Sequence, residues 1–290
     1  MVAIRHPALL LVVGLLALLP STSSGRAGPS SSERGGPAGS LFAQSAAETL
    51  KREFPSRNIS FLLLDAHTGA VLASRWDRAD SPIPLGSLVK PFTALAYGEQ
   101  HDYKYPGHTC RGTSTGCWLP RGHGNVGLTS AIAYSCNSYF RMLTADLTAS
   151  DVESTANRFG LEPPDREAAG QALAGLGNHW RISPLRMARA YLELARQSQQ
   201  PGVREVLDGM AQSAQHGTGA EVHRALPHLD ALVKTGTASC THAQRASGDG
   251  FTIALMPADQ PQILLMVRVH GAPGAQAAKT AGQMLRRIEE

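Results

Sequence analysis

Beyond residue 58, apolar side chains fall into short strand-length runs near both ends of the chain, with helix-like spacing between them. Residues 59–64 are apolar apart from Ser60 and stop at Asp65; His67-Thr68-Gly69 then supplies a turn before residues 70–74 resume the apolar pattern, which predicts a strand hairpin. Residues 251–256 and 263–269 flank Pro257-Ala258-Asp259-Gln260-Pro261 and predict a second hairpin, with a helix over 275–288. Residues 230–233 read as a further strand running into Lys234. Between these ends, residues 87–98, 129–147, 151–159 and 184–196 read as helices, the last opening with Ser183-Pro184, a good cap and first-turn pair. The pattern is that of an α+β domain whose terminal strands enclose a helical middle, and no repeat of solenoid period is visible.

The segment before residue 59 has a different character. Arg5 and His6 precede an uncharged apolar run over 8–19, the layout of an export signal, and the run is short of the roughly 20 apolar residues a membrane span needs. Residues 1–25 are therefore expected to be a signal peptide or short anchor. Ser, Gly, Pro and Arg dominate the stretch that follows, which predicts a flexible linker over 26–44 and a folded domain over 45–290. Basic and acidic residues number 27 and 23 and are dispersed, without the basic run or interleaved aromatics of a nucleic-acid surface. Export implies an oxidising compartment, where Cys110 and Cys117 are the expected disulfide pair among Cys110, Cys117, Cys136 and Cys240.

Three short motifs carry candidate chemistry. Ser87-Leu88-Val89-Lys90 brings a hydroxyl and an amine to one face of a helical turn, where a neutral lysine can activate the serine. Pro91 is tolerated only in a first turn, which places Ser87 at the helix start, where the positive end of the helix favours developing negative charge. Alone, the same spacing also describes a solvated helix surface. Ser135-Cys136-Asn137 lies in a small-residue and aromatic stretch that should be buried, so its polar groups need partners; a helix cap or a satisfied core serine is the plainer alternative. Lys234-Thr235-Gly236-Thr237 ends a strand with an amine, two hydroxyls and a glycine that admits close backbone approach. Only five lysines occur, at 51, 90, 104, 234 and 279, so two of them falling in these motifs is informative.

In this order the motifs resemble the signature of the serine penicillin-recognising enzymes, penicillin-binding proteins and serine β-lactamases. The stretch Leu63-Leu64-Asp65-Ala66-His67-Thr68-Gly69 looks like the opening hairpin of class B transpeptidase domains. Cys117-Trp118-Leu119-Pro120-Arg121-Gly122-His123-Gly124 and Ile182-Ser183-Pro184-Leu185-Arg186 look like elongation-type members. The resemblance implies a β-lactamase/transpeptidase-like fold, with an antiparallel sheet from the N- and C-terminal strands and helices on its faces. It implies that Ser87 is acylated, that Lys90 is its general base, and that Ser135 relays a proton to the leaving amine. Asn137, Lys234, Thr235, Gly236 and Thr237 would bind substrate, and the backbone N–H groups of Ser87 and Thr237 would form an oxyanion hole.

The implied activity is D,D-transpeptidation of peptidoglycan stem peptides, with acylation by β-lactam antibiotics and possible cell-wall synthesis proteins as partners. No cofactor, metal or nucleic acid is implied. D,D-carboxypeptidase, β-lactamase and a non-catalytic wall-binding module are the alternatives. Glu153-Ser154-Thr155-Ala156-Asn157 imitates a β-lactamase deacylation motif, but follows Asn137 too closely. A zinc site from His108, Cys110, Cys117 and His123 is the alternative to the disulfide, since some elongation-type relatives are thought to bind metal in this region, although the spacing fits no common finger. Cys136 is expected to face the core as an inert thiol, and Cys240 has no assigned role. His179 and Trp180 are read as packing residues.

Overall fold

Pairing between strands from opposite ends of the chain organises the molecule. The computed structural model describes residues 37–240 and 248–290; the expected signal peptide lies outside them. In chain order the elements are α1 (Pro37–Glu53), β1 (Ile59–Asp65), β2 (Val71–Arg75), β3 (Ile83–Pro84), α2 (Lys90–Gln100), β4 (His108–Cys110) and β5 (Gly124–Val126). There follow α3 (Leu128–Ala133), α4 (Asn137–Leu143), α5 (Ala149–Arg158), β6 (Arg181–Ile182), α6 (Pro184–Arg196), α7 (Val203–His216) and α8 (Ala220–Ala225). The chain closes with β7 (Leu232–Ala238), β8 (Asp249–Met256), β9 (Ile263–His270) and α9 (Gly274–Glu289).

The main sheet has the order β2-β1-β9-β8-β7, and every pair in it is antiparallel. The first hairpin turns on Asp65, whose carboxylate accepts from the Thr68 N–H (2.7 Å), the Thr68 hydroxyl (2.8 Å) and the His67 N–H (3.1 Å). Successive side chains alternate between faces. Phe61, Leu63, Leu265 and Val267 pack beneath α1 and α9, against Leu50, Ala278, Ala281 and Met284. Leu62, Leu64, Leu264 and Met266 point the other way, into a core shared with Phe92, Phe159, Met187 and Tyr191 of the helical middle. Burial on both faces is why these strands read as unbroken apolar runs. The α+β class, the antiparallel sheet and both hairpins are as the sequence predicts.

Helix α6 occupies the predicted span, with the Ser183 hydroxyl accepting from the Arg186 N–H (3.4 Å). Trp180 is buried and donates to the Glu162 carbonyl (2.8 Å), whereas its neighbour His179 is exposed beside Asp165. Two expectations need correction. The single helix predicted over 129–147 is broken at Tyr134–Ser135–Cys136 into α3 and α4. The predicted linker extends too far, because α1 begins at Pro37. Composition favoured a linker there; docking of Ala46 and Leu50 onto the sheet, a contact with distant residues, favours the helix. Among the described residues no helix is long and apolar enough to cross a membrane.

Leu50 is fully buried, so Leu50→Ala is expected to lower stability by about 2–5 kcal/mol, the range for truncating a buried leucine. Denaturant unfolding checks this; a change within experimental error would return α1 to the status of a tether.

Candidate active site

Ser87 sits on a tight 3-10 turn, Gly86–Val89, and α2 starts at Lys90 with Pro91 in its first turn. In a 3-10 turn residues three apart eclipse, so Ser87 and Lys90 share a face more closely than an α-helical turn would require. The turn is pressed backbone to backbone against β7. Gly86 has φ +58°, and a Cβ there would lie 2.2 Å from the Thr237 carbonyl oxygen; a Cβ on Gly236 would lie 2.5 Å from the Leu85 carbonyl oxygen. Two glycines therefore bring the first and third motifs together. Tyr191 anchors the turn from below, its hydroxyl donating to the Leu88 carbonyl (2.8 Å).

The break between α3 and α4 carries the second motif. The Cys136 N–H donates to the Ala131 carbonyl (2.9 Å) and the Ser135 N–H to Ile132 (3.2 Å), the paired bonds that close a helix on a left-handed residue. That residue is usually glycine; here it is Ser135, at φ +50°. A left-handed non-glycine residue costs roughly 1–2 kcal/mol, and such strain persists where the side chain has other work. The turn aims Ser135 inward and leaves Asn137 at the start of α4.

Two fully buried lysines converge on Ser135. The Lys90 ammonium donates to the Asn137 side-chain oxygen (2.7 Å) and the Ser135 carbonyl (2.8 Å), with the Ser135 hydroxyl at 3.5 Å. Lys234 donates to the Ser135 hydroxyl (3.0 Å) and the Thr235 carbonyl (2.7 Å). Burial pushes Lys90 down to about 7, a fall that Cys136 and Cys117 oppose and Arg141 deepens. Burial, and then the charge of Lys90, hold Lys234 well below the usual lysine range. An amine near neutrality beside a serine is equipped to take and return a proton.

Ser87, Ser135, Asn137, Thr235, Gly236 and Thr237 line one cleft of about 400 Å³. Lys90 and Lys234 lie beneath its floor rather than on its wall. Thr237 is exposed, its hydroxyl accepting from the Gly274 N–H (3.0 Å), and Thr235 is bonded hydroxyl to hydroxyl with Thr218 (2.6 Å). Thr218, Glu221 and Arg224 also line the cleft. Sequence reasoning missed all three, because they stand in and after the Gly217-Thr218-Gly219 turn that follows α7, an element it did not predict. Arg224 supplies a cationic group at the cleft surface and pairs with Glu221.

The penicillin binding protein transpeptidase domain model matches residues 59–290, which takes in every motif above. The chain belongs to this family. Solved structures share its fold at low identity. The Pseudomonas aeruginosa PBP2 in complex with WCK 5153 is 19% identical, with TM-score 0.69, over 86% of this chain and 73% of that one. The transpeptidase domain of Burkholderia pseudomallei penicillin-binding protein 3 is 18% identical, with TM-score 0.65, over 87% and 92%. Helicobacter pylori PBP2, solved in a complex with MreC, is 16% identical, with TM-score 0.68, over 86% and 62%. No protein with a curated description matches the sequence.

Beside the second motif this transpeptidase domain departs from the expected cysteine chemistry. All four cysteines are free thiols, so the expected Cys110–Cys117 disulfide is absent. Their sulfurs instead flank the His123 Nδ1, at 3.6 and 3.5 Å, and Cys136 lies 3.9 Å from Cys117. Cys136 thus joins this group rather than standing apart as an inert core thiol. His108 does not; its Nε2 lies 2.6 Å from the Ser138 hydroxyl. Burial would raise the Cys110 thiol, but hydrogen bonds from Gly112 and His123 bring it down to about 6, while burial pushes Cys136 up to about 12. Three sulfurs and one imidazole nitrogen, all within 4.8 Å of one another, suit tetrahedral zinc. Glu153 and Asn157 are exposed on α5 and do not line the cleft, which removes the imitation of a deacylation motif.

Two outcomes follow from this geometry. Gly86→Ala should melt at lower temperature, by the equivalent of about 1–3 kcal/mol, the usual cost of overpacking, because its methyl group would meet the Thr237 carbonyl. The rate of acylation by a fluorescent penicillin should rise between about pH 6 and 8 and then level as Lys90 loses its proton; a flat profile would remove Lys90 from the role of base.

Proposed function

We propose that this chain is an extracytoplasmic serine D,D-transpeptidase that cross-links peptidoglycan stem peptides ending in D-alanyl-D-alanine. One observation carries the reading: the Ser135 hydroxyl is reached by both buried ammonium groups, 3.5 Å from Lys90 and 3.0 Å from Lys234, in the same cleft as Ser87. That arrangement supports a reading of Ser135 as a proton relay serving the leaving group.

In this mechanism neutral Lys90 takes the Ser87 proton as the hydroxyl oxygen attacks the carbonyl carbon between the two D-alanines. The Ser87 and Thr237 N–H groups hold the oxygen of the tetrahedral intermediate, an arrangement worth roughly a hundredfold to a thousandfold per donor. Ser135, fed by the lysines, protonates the departing amine, the C–N bond breaks, and D-alanine leaves an ester on Ser87. An acceptor amine from a neighbouring stem peptide attacks that ester and regenerates the hydroxyl. Asn137 holds the substrate amide, while Thr235 and Thr237, backed by the field of Lys234, receive the terminal carboxylate. A β-lactam follows the same first steps, but its leaving amine stays tethered and the ester persists. The MreC complex of the Helicobacter pylori neighbour supports a place for this chain beside other wall-synthesis proteins.

Incubation with fluorescent penicillin should label the parent chain for hours and leave Ser87→Ala unlabelled, while Ser135→Ala should acylate about 10²–10⁴ times more slowly. Peptide mass mapping locates the adduct. No adduct at Ser87 would sink the reading, and release of label within seconds would make the chain a β-lactamase. Stem peptides supplied with and without an acceptor amine should yield cross-linked product only with it; D-alanine release alone would identify a carboxypeptidase.

A further inference from the structure

Cys240 is left without a task by the acyl-transfer chemistry, yet it stands next to two other ligand-type side chains. We propose that Cys240, Asp249 and His270 form a binding site for a divalent transition metal, zinc by the chemistry of its donors, distinct from the group around His123.

Strand register assembles the three. Ala238 pairs with Asp249, and Asp249 pairs with His270, so these residues of β7, β8 and β9 share one face of the sheet. Cys240 lies just past the end of β7, and its sulfur reaches the His270 ring on that face. Their donor atoms lie within 4.8 Å of one another. The His270 Nδ1 is 3.5 Å from the Cys240 sulfur and 2.7 Å from an Asp249 carboxylate oxygen.

A nucleophilic relay would place the thiol on one ring nitrogen and the carboxylate on the other. Here both face the same nitrogen, so the three donors converge on one point. For a tetrahedral zinc with ordinary bond lengths, sulfur and nitrogen ligands stand about 3.5 Å apart, which the Cys240–His270 separation meets without rearrangement. Nitrogen and oxygen would have to part by several tenths of an ångström as the ion replaces the proton between them. Binding would release the thiol proton to solvent, shift the Nδ1 proton by way of solvent to the Nε2 of the ring, and leave the fourth position to water or an incoming ligand.

Asp249 is 3% exposed, so its carboxylate is held in place beside the His270 ring. Cys240 follows Thr237 by three residues, so an ion here would fasten the chain leaving the third motif to the neighbouring strands, at the end of the sheet beside the cleft.

The test is metal uptake by the full chain under reducing conditions, titrated with Zn²⁺ and separately with Co²⁺, comparing the parent with Cys240→Ser and Asp249→Asn. Because the His123 group offers another position, the reading is the difference between parent and variant in metal per chain. Each variant is expected to bind one ion fewer, or to bind it more weakly than the roughly 10–100-fold that loss of an outer-shell partner produces. Cys240→Ser should also lose one thiolate-to-cobalt absorption band. Melting of the metal-free proteins shows whether the variants remain folded. Unchanged stoichiometry and affinity in both folded variants would overturn the proposal, as would uptake by the parent that Cys110→Ser abolishes entirely.

Discussion

Two ammonium groups buried side by side set the terms for the rest of the molecule. Removing one charge from water costs several kcal/mol even after relaxation, and a second of the same sign beside it costs more. Lys90 and Lys234 meet that cost by losing proton affinity and by donating to carbonyl, amide and hydroxyl oxygens gathered around Ser135. The same burial that costs Lys90 its proton affinity leaves it an amine able to give up its proton near neutrality. Stability and chemistry thus meet at one hydroxyl, and the three motifs must arrive together for either to hold.

Their arrival depends on backbone approach. The turn bearing Ser87 rests directly on β7 because Gly86 and Gly236 leave no side chain between them. The loop bearing Ser135 turns inward because a serine occupies the left-handed position that glycine usually takes at a helix end. One contact relies on the absence of a side chain, the other on accepting strain to keep one. Both are held in place by the sheet, where β1 pairs with β9 and β7 forms the edge facing the cleft.

The cysteines show how a reading from compartment alone goes astray. An oxidising environment and short spacing pointed to a bridge between Cys110 and Cys117, yet the β4–β5 hairpin turns both sulfurs toward His123, and the α3–α4 break brings Cys136 to join them. The Cys136 position follows from the same left-handed turn that aims Ser135. Its two neighbours face the cleft while its own sulfur faces this group, so the second motif touches both the cleft and the thiols.

What the sequence determined by itself was local. The hairpins, the span of α6 with its Ser183 cap, the first-turn placement of Pro91 and the three short motifs all depend on residues within a few positions of one another, where periodicity and capping chemistry act directly. The tertiary structure decided whatever depended on distant partners. It decided the helical state of residues 37–44, which α1 owes to docking on the sheet, and the break that a helical pattern over 129–147 concealed. It also decided the thiol group, the meeting of Cys240 with His270, and the contribution of Thr218 and Arg224 to the cleft. Lys90 and Ser135 stand 45 residues apart, and no local preference records their contact. It exists because the folded chain buries α2 against the α3–α4 break, where a buried amine and a buried serine each need a partner.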